Sequence, residues 1–281
     1  MLATHSIGTA GPALLALHGG LGWDSAALRP WLDPLAEHAR LTYVDLLGCG
    51  SAPDPDDWST VAHGTWAAGV EDVRQRLDEA RGGHERVILF GHSYGGIIAL
   101  EAALAYPERV AGLILCATPS AAAHIPAAVE RAQARDLSAD VRAALNAVLS
   151  APPTSDAEFA ALMPALLPLY AHAPDAHDFA AYAAGIRFRA APCRRSFYEL
   201  LGDYDARQRL AEIAAPTLVL SGRHDWVAAP ADAHADFLAG LPLAEGHVFE
   251  HSGHLPFLEE PEAFVRVAGE WLERQASGAA D

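Results

Sequence analysis

The chain has no lysine: all 19 of its basic residues are arginine. That absence excludes Schiff-base chemistry and a lysine-bearing phosphate loop. Cysteine is scarce as well. Cys49, Cys116 and Cys193 are widely spaced, odd in number and without a C-x-x-C pair, which fits reduced thiols rather than a disulfide frame and implies neither a metal nor a redox role. No apolar stretch reaches about 18 residues, and Met1 to Gly11 has neither a basic start nor an apolar run of signal-peptide length. A cytoplasmic protein with no export signal and no membrane span is expected. Long runs of one charge sign are also missing, although the formal net charge is −17; this pairing argues against nucleic acid and anionic membrane surfaces as partners.

What the chain does have, in 281 residues, is enough length for one α/β domain carrying an insertion. Short apolar runs bounded by glycine or polar turns recur at residues 13–17, 41–44, 87–90, 110–116, 217–220 and 244–250, and these read as strands. Helical spacing lies between and after them, at residues 66–80, 96–105, 231–239 and 261–274. Strands alternating with helices predict a mainly parallel sheet covered on both faces. The alternation stops between residues 119 and 209, where alanine-rich helical spacing is punctuated by Pro126, Pro152, Pro153, Pro164, Pro168, Pro174 and Pro192. Leu162, Met163, Leu166, Leu167, Leu169 and Tyr170 supply more apolar surface there than a disordered segment carries. The expectation is a core of residues 1–118 and 210–281 with a helical lid of residues 119–209 inserted.

The chemistry concentrates at Gly91-His92-Ser93-Tyr94-Gly95-Gly96, which directly follows the apolar run at 87–90. A sharp strand-to-helix turn strains its central residue and brings neighbouring backbone close, so the flanking positions need to lack side chains. The turn lifts the Ser93 hydroxyl clear of the sheet, and the helix start behind it directs N–H groups toward developing negative charge. A serine hydroxyl needs a base within reach and an acid to orient that base. Asp225 follows the run at 217–220, in a loop at a strand's carboxyl end, and His254 lies in Ser252-Gly253-His254 beyond the last strand. Serine, aspartate, histidine is the chain order of a nucleophile-elbow hydrolase.

Rival assignments exist. His251 is the second choice of base, and His224, His247, His251 and His254 together raise a metal site, which requires three or four converging ligands. No metal and no cofactor are expected. The glycine-rich loop Leu17-His18-Gly19-Gly20-Leu21-Gly22 leaves the first apolar run, and the N–H groups of Gly20 and Tyr94 are proposed as an oxyanion hole.

These motifs, with Asp45-Leu46-Leu47-Gly48-Cys49-Gly50, Ala215-Pro216-Thr217 and Glu259-Glu260-Pro261-Glu262, resemble those of α/β-hydrolases over nearly the whole chain. The resemblance implies that fold, a mostly parallel, doubly wound sheet flanked by helices with an inserted helical lid. It also implies Ser93, Asp225 and His254 as the triad, with Gly20 and Tyr94 as the oxyanion hole. Within the superfamily the loop at His18, the Gly48-Cys49-Gly50 turn and Ser93-Tyr94-Gly95-Gly96 are similar to those of proline iminopeptidases. Such peptidases are expected to hold a free amino group with acidic residues, one in the lid and one after the catalytic acid. Here Trp226 follows Asp225 and the lid neighbourhood reads Cys193-Arg194-Arg195-Ser196, although Glu199 can supply a carboxylate. The short amino-terminal segment also implies that the usual opening antiparallel hairpin is trimmed.

Arg187, Arg189, Arg194 and Arg195 cluster near the end of the lid. They either recognise a carboxylate on the substrate or pin the lid to an acidic protein. The sequence thus predicts a serine hydrolase cleaving a small-molecule ester, lactone or amide through an acyl-enzyme, with Trp226, Arg194 and Glu199 as substrate contacts. Two alternatives stay open: an aminopeptidase of the proline iminopeptidase kind, and a ligand-binding protein on this scaffold without turnover.

Overall fold

A computed structural model describes residues 1–79 and 86–278. Seven strands form one sheet: β1 (Thr4–Ile7), β2 (Ala13–Leu17), β3 (Arg40–Val44), β4 (Val87–His92), β5 (Val110–Cys116), β6 (Thr217–Gly222) and β7 (Ala244–Phe249). Their order across the sheet is β1-β3-β2-β4-β5-β6-β7. All neighbours are parallel except β1, which pairs antiparallel with β3. The opening antiparallel element is therefore a single edge strand, which the apolar pattern did not announce. Three of its four residues are exposed.

The central strands β2 and β4 are buried along their whole length, as expected where both faces of a parallel sheet are covered. Side-chain alternation splits them between two cores. Leu14, Ile88, Phe90 and Ile114 face one side, with Phe264 and Trp271 of helix α10 (Pro261–Gly278). Leu15, Leu89, Leu113 and Leu115 face the other, with Trp66 of helix α1 (His63–Glu79) and Ile97 and Leu100 of helix α2 (Tyr94–Ala105). The expected helix at 66–80 matches α1, apart from Ala80, which lies outside the described residues. Helix α2 starts two residues earlier than its sequence suggests, because Tyr94 and Gly95 already belong to it. The helix expected at 231–239 is divided into a wide π turn, Pro230–His234, and a regular helix, α8 (Ala235–Gly240), and the short α9 (Pro256–Glu259) precedes α10.

Between β5 and β6 every named element is helical, including α3 (Ile125–Gln133), α4 (Ala139–Ser150), α5 (Asp156–Leu166), α6 (Phe179–Ala184) and α7 (Ala190–Cys193). Phe159, Met163, Leu166 and Leu169 of this segment belong to the same buried cluster as Phe90 and Ile114 of the sheet. The segment is thus seated on the carboxyl ends of the strands by shared apolar surface. No described helix is long and apolar enough to cross a membrane.

Candidate active site

Ser93 occupies the turn between β4 and α2 with φ 52° and ψ −120°, a left-handed conformation that side chains other than glycine rarely adopt. The surrounding backbone holds it there. Its N–H donates to the Cys116 carbonyl at 2.8 Å, and its own carbonyl accepts the Gly96 N–H at 3.0 Å. The glycines allow close approach, since a Cβ on Gly95 or Gly96 would run into the Leu17 and His18 carbonyls or the Thr118 side chain. A serine at a helix N-cap ordinarily directs its hydroxyl to the helix N–H groups. Here the Ser93 side chain makes no such bond, which leaves the hydroxyl available and the Tyr94 N–H, first in its helix, without an intrahelical partner.

Asp225 and His254 arrive from the ends of β6 and β7. His254 Nδ1 stands 2.9 Å from Asp225 Oδ2, and the second oxygen, Oδ1, accepts the Val227 N–H at 2.8 Å. Both side chains are buried. The His254 backbone is anchored twice: its N–H donates to the Tyr170 carbonyl at 2.7 Å, and its carbonyl accepts His92 Nε2–H at 2.9 Å. That bond assigns the proton of His92 to Nε2. Burial, with the neighbouring His254 ring adding to it, holds His92 down to about 3, so it is a neutral strut. His251 is exposed, and its N–H donates to Glu260 Oε2 at 2.9 Å. His247 packs on Phe249 with ring centroids 4.6 Å apart, and His224 stacks on His172 at 3.7 Å. The histidines weighed as a cluster thus go to different partners.

Ser93, His254, Gly20 and Tyr94 all line one cavity of about 320 Å³. Its remaining wall comes mostly from residues 119–209, including Phe159, Met163, Leu166 and Phe197, and Trp226 joins it from the Asp225 loop. Among the described residues, no aspartate, glutamate or arginine lines it. Cys193 is part of the wall, and burial pushes its thiol up to about 12. Below the Gly20 loop, buried His18 accepts the Leu46 N–H on Nε2 at 3.2 Å, leaving Nδ1 facing the Gly19 carbonyl at 3.1 Å. Burial lowers its pKa, which matches a neutral ring shaping the loop.

Arg194 and Glu199, expected at the substrate, do not line this cavity. Arg194 donates to the Pro153 carbonyl at 3.3 Å, and Glu199 pairs with Arg195 at 2.8 Å. The other arginines of the cluster tie the helical segment to the core. Arg187 reaches the Gly50 carbonyl, Arg189 pairs with Asp54 and Asp156, and Arg195 donates to the Ser59 and Val61 carbonyls. Of the three expected contacts, only Trp226 faces the cavity. Met163, Leu166 and Tyr170, already prominent as apolar residues of the expected lid, line the cavity, whereas the share that α3 and α4 contribute depends on how the helices pack.

A family model described as alpha/beta hydrolase fold matches residues 12–261. The chain is 25% identical to a proline iminopeptidase of Saccharolobus solfataricus, over 93% of this chain and 84% of that protein. It is 29% identical to a pimeloyl-(acyl-carrier protein) methyl ester esterase of Vibrio vulnificus, over 90% of this chain and 91% of that protein. Among solved structures, a thermophilic esterase from Thermogutta terrifontis superposes with a TM-score of 0.74 at 24% identity, covering 98% of this chain and 94% of its own. With a family match that runs from β2 to the start of α10 and relatives aligned along almost its full length, this chain belongs to the α/β-hydrolase fold family and is a hydrolase.

Proposed function

We propose that this hydrolase cleaves small neutral esters, with lactones and amides as weaker candidates, through an acyl-enzyme on Ser93. The observation that carries the reading is the mostly apolar cavity into which Ser93 and His254 both open, with no aspartate, glutamate or arginine among its described lining residues and His254 Nδ1 held by a buried carboxylate. Asp225 keeps the proton of the neutral imidazole on Nδ1, so Nε2 is the free acceptor. Ser93 Oγ attacks the carbonyl carbon while Nε2 takes its proton. The Gly20 and Tyr94 N–H groups receive the oxyanion, and the protonated ring then returns its proton to the leaving alcohol. Water, activated by the same ring, releases the acid. Catalytic hydrogen bonds often tighten only when substrate is bound.

The wall also argues substrate class. A cavity of about 320 Å³ is at the small end of ligand sites, which run roughly 300–1,000 Å³. An ammonium group entering it meets no carboxylate among the described lining residues, so an amino-terminal peptide is a poor fit despite the similarity to an iminopeptidase. The apolar surface continues outward. Of seven exposed large hydrophobic side chains among the described residues, Ile125, Leu149, Phe197 and Tyr198 belong to the cavity lining. We read them as a rim that receives the distal part of an apolar acyl chain or alcohol.

The test is a comparison of kcat/KM for p-nitrophenyl esters of increasing chain length and for proline p-nitroanilide. Each methylene buried in the cavity contributes about 0.8 kcal/mol, near fourfold, so the esters rise in a series before levelling off. Preferred turnover of the proline arylamide would overturn the ester assignment.

A further inference from the structure

Residues 169–172 run beside the base, and their backbone polar groups are held from two sides. Arg135, just past the end of α3, donates Nη1–H to the Leu169 carbonyl at 2.6 Å and Nη2–H to the Ala171 carbonyl at 2.7 Å. The carbonyl between them, that of Tyr170, accepts the His254 N–H at 2.7 Å. The His172 N–H donates to Glu259 Oε2 at 2.6 Å, and Glu259 Oε1 accepts the Gly253 N–H at 2.7 Å. One carboxylate therefore joins this segment to the loop that carries the base.

Side chains and close packing reinforce the bond pattern. The Tyr170 ring lies 5.3 Å from the His254 ring and 5.5 Å from that of Trp226, centroid to centroid. His172 stacks on His224, the neighbour of Asp225. A Cβ on Gly253 would stand 3.1 Å from both the Ala171 carbonyl carbon and the His172 nitrogen, which explains glycine before the base: the segment presses directly on it. Burial raises the Glu259 carboxyl and lowers the Arg135 guanidinium, in each case against favourable partners. Holding two charges where burial disfavours both is costly unless their hydrogen bonds are used in full. Here those bonds end on residues 169–173 or on the base loop.

We infer that Arg135 and Glu259 are positioning residues for the base, clamping residues 169–172 and the Gly253-His254 loop into one unit so that the helical segment sets where His254 sits. This rests on the proposed role of His254. The geometry of proton transfer tolerates little error, and a misplacement near 1 Å costs on the order of 100-fold in rate. Neither Arg135 nor Glu259 lines the cavity or touches the reacting atoms, so their loss is expected to fall on kcat far more than on KM.

The test uses the full chain with Glu259→Gln, Arg135→Gln and the double substitution. A fluorophosphonate titrates reactive Ser93, and p-nitrophenyl butyrate gives kcat per titrated site. Glutamine at 259 offers one acceptor to two N–H donors, so kcat per site is expected to fall about 10- to 100-fold with KM within about twofold. Because the two residues grip one unit, the double variant is expected to lose little more than the worse single one. Wild-type kcat per site in both single variants overturns the clamp, as does a loss confined to KM or to the folded fraction. If Glu259→Gln does not fold, Arg135→Gln, on the far side of the segment, decides the question alone. A wild-type protein that neither labels nor turns over esters overturns the assignment of His254 and the clamp with it, whereas an active wild type with unaffected variants overturns only the clamp.

Discussion

Replacing Asp225 by asparagine tests the orientation of the base with almost no change in shape. In the native site Oδ1 accepts the Val227 N–H at 2.8 Å and Oδ2 faces His254 Nδ1 at 2.9 Å. An amide has one oxygen and one NH2 to distribute between these neighbours. With its oxygen toward Val227, the NH2 points at Nδ1, which must then be bare, and the ring proton moves to Nε2. His254 then cannot accept the Ser93 proton. The opposite orientation sets two donors against each other at Val227, in a residue that is 2% exposed, and an unsatisfied buried donor costs about 1–3 kcal/mol. The inactive orientation therefore dominates. The expected loss in kcat is about 10⁴-fold, the scale of a triad locked in the wrong tautomer, or roughly 5 kcal/mol in the barrier. Asp225 does not line the cavity, so KM should stay within about twofold, and the isosteric side chain should leave thermal unfolding nearly unchanged. Steady-state hydrolysis of p-nitrophenyl butyrate measures both constants. A loss below about tenfold, or one confined to KM, refutes the assignment of Asp225 as the residue that sets the tautomer.

Three further outcomes are expected. Leu149→Glu places a charge on the rim, where about half of the leucine's apolar burial, near 1 kcal/mol, is at stake for a long chain; kcat/KM for an octanoate ester should fall about fivefold while the acetate ester is unaffected, and equal losses on both count against the rim. Arg194→Ala should change neutral and carboxylate-bearing esters alike, because that guanidinium is engaged with the Pro153 carbonyl; a selective loss on the anionic ester would restore it as a substrate contact. Burial holds His63 down to about 4 and His92 to about 3, whereas the unfolded chain protonates them near pH 6.5. The unfolded state therefore binds more protons in this window, and folding stability is full above about pH 6.5 and declines toward pH 4, by roughly 2 to 3 kcal/mol per pH unit from the two groups. Urea unfolding across that range should show a visibly shallower slope in His63→Gln, which keeps a donor for Tyr94; identical slopes would contradict it.

The parts of the site legible in the sequence are those fixed by short-range backbone demands. Ser93 needs glycines around it because Leu17, His18 and Thr118 leave no room for side chains, so the elbow is written locally. Strands β4 and β6 are legible through residues 87–90 and 218–220, which are apolar because both faces of the sheet are covered, while their polar or glycine ends are not. Strand β1 escaped because Thr4, His5 and Ser6 are exposed at an edge and carry no alternation. The arginines near residue 190 showed their charge but not their partners, since Asp54, Asp156 and the Ser59 carbonyl come from distant segments. Glu259 stands in the motif Glu259-Glu260-Pro261-Glu262, which carries no function of its own in the sequence. Its purpose depends on a cap segment almost 90 residues away, residue 172, that only the folded chain brings to it.

The most direct test of the account is intact-mass spectrometry of the native protein treated with a fluorophosphonate, with peptide mapping of the adduct. The predicted result is one adduct per chain, on Ser93, formed rapidly by the wild type and absent in Ser93→Ala. Label that persists in Ser93→Ala, or a folded wild type that takes up none, would contradict the claim that Ser93 is the activated nucleophile of this hydrolase.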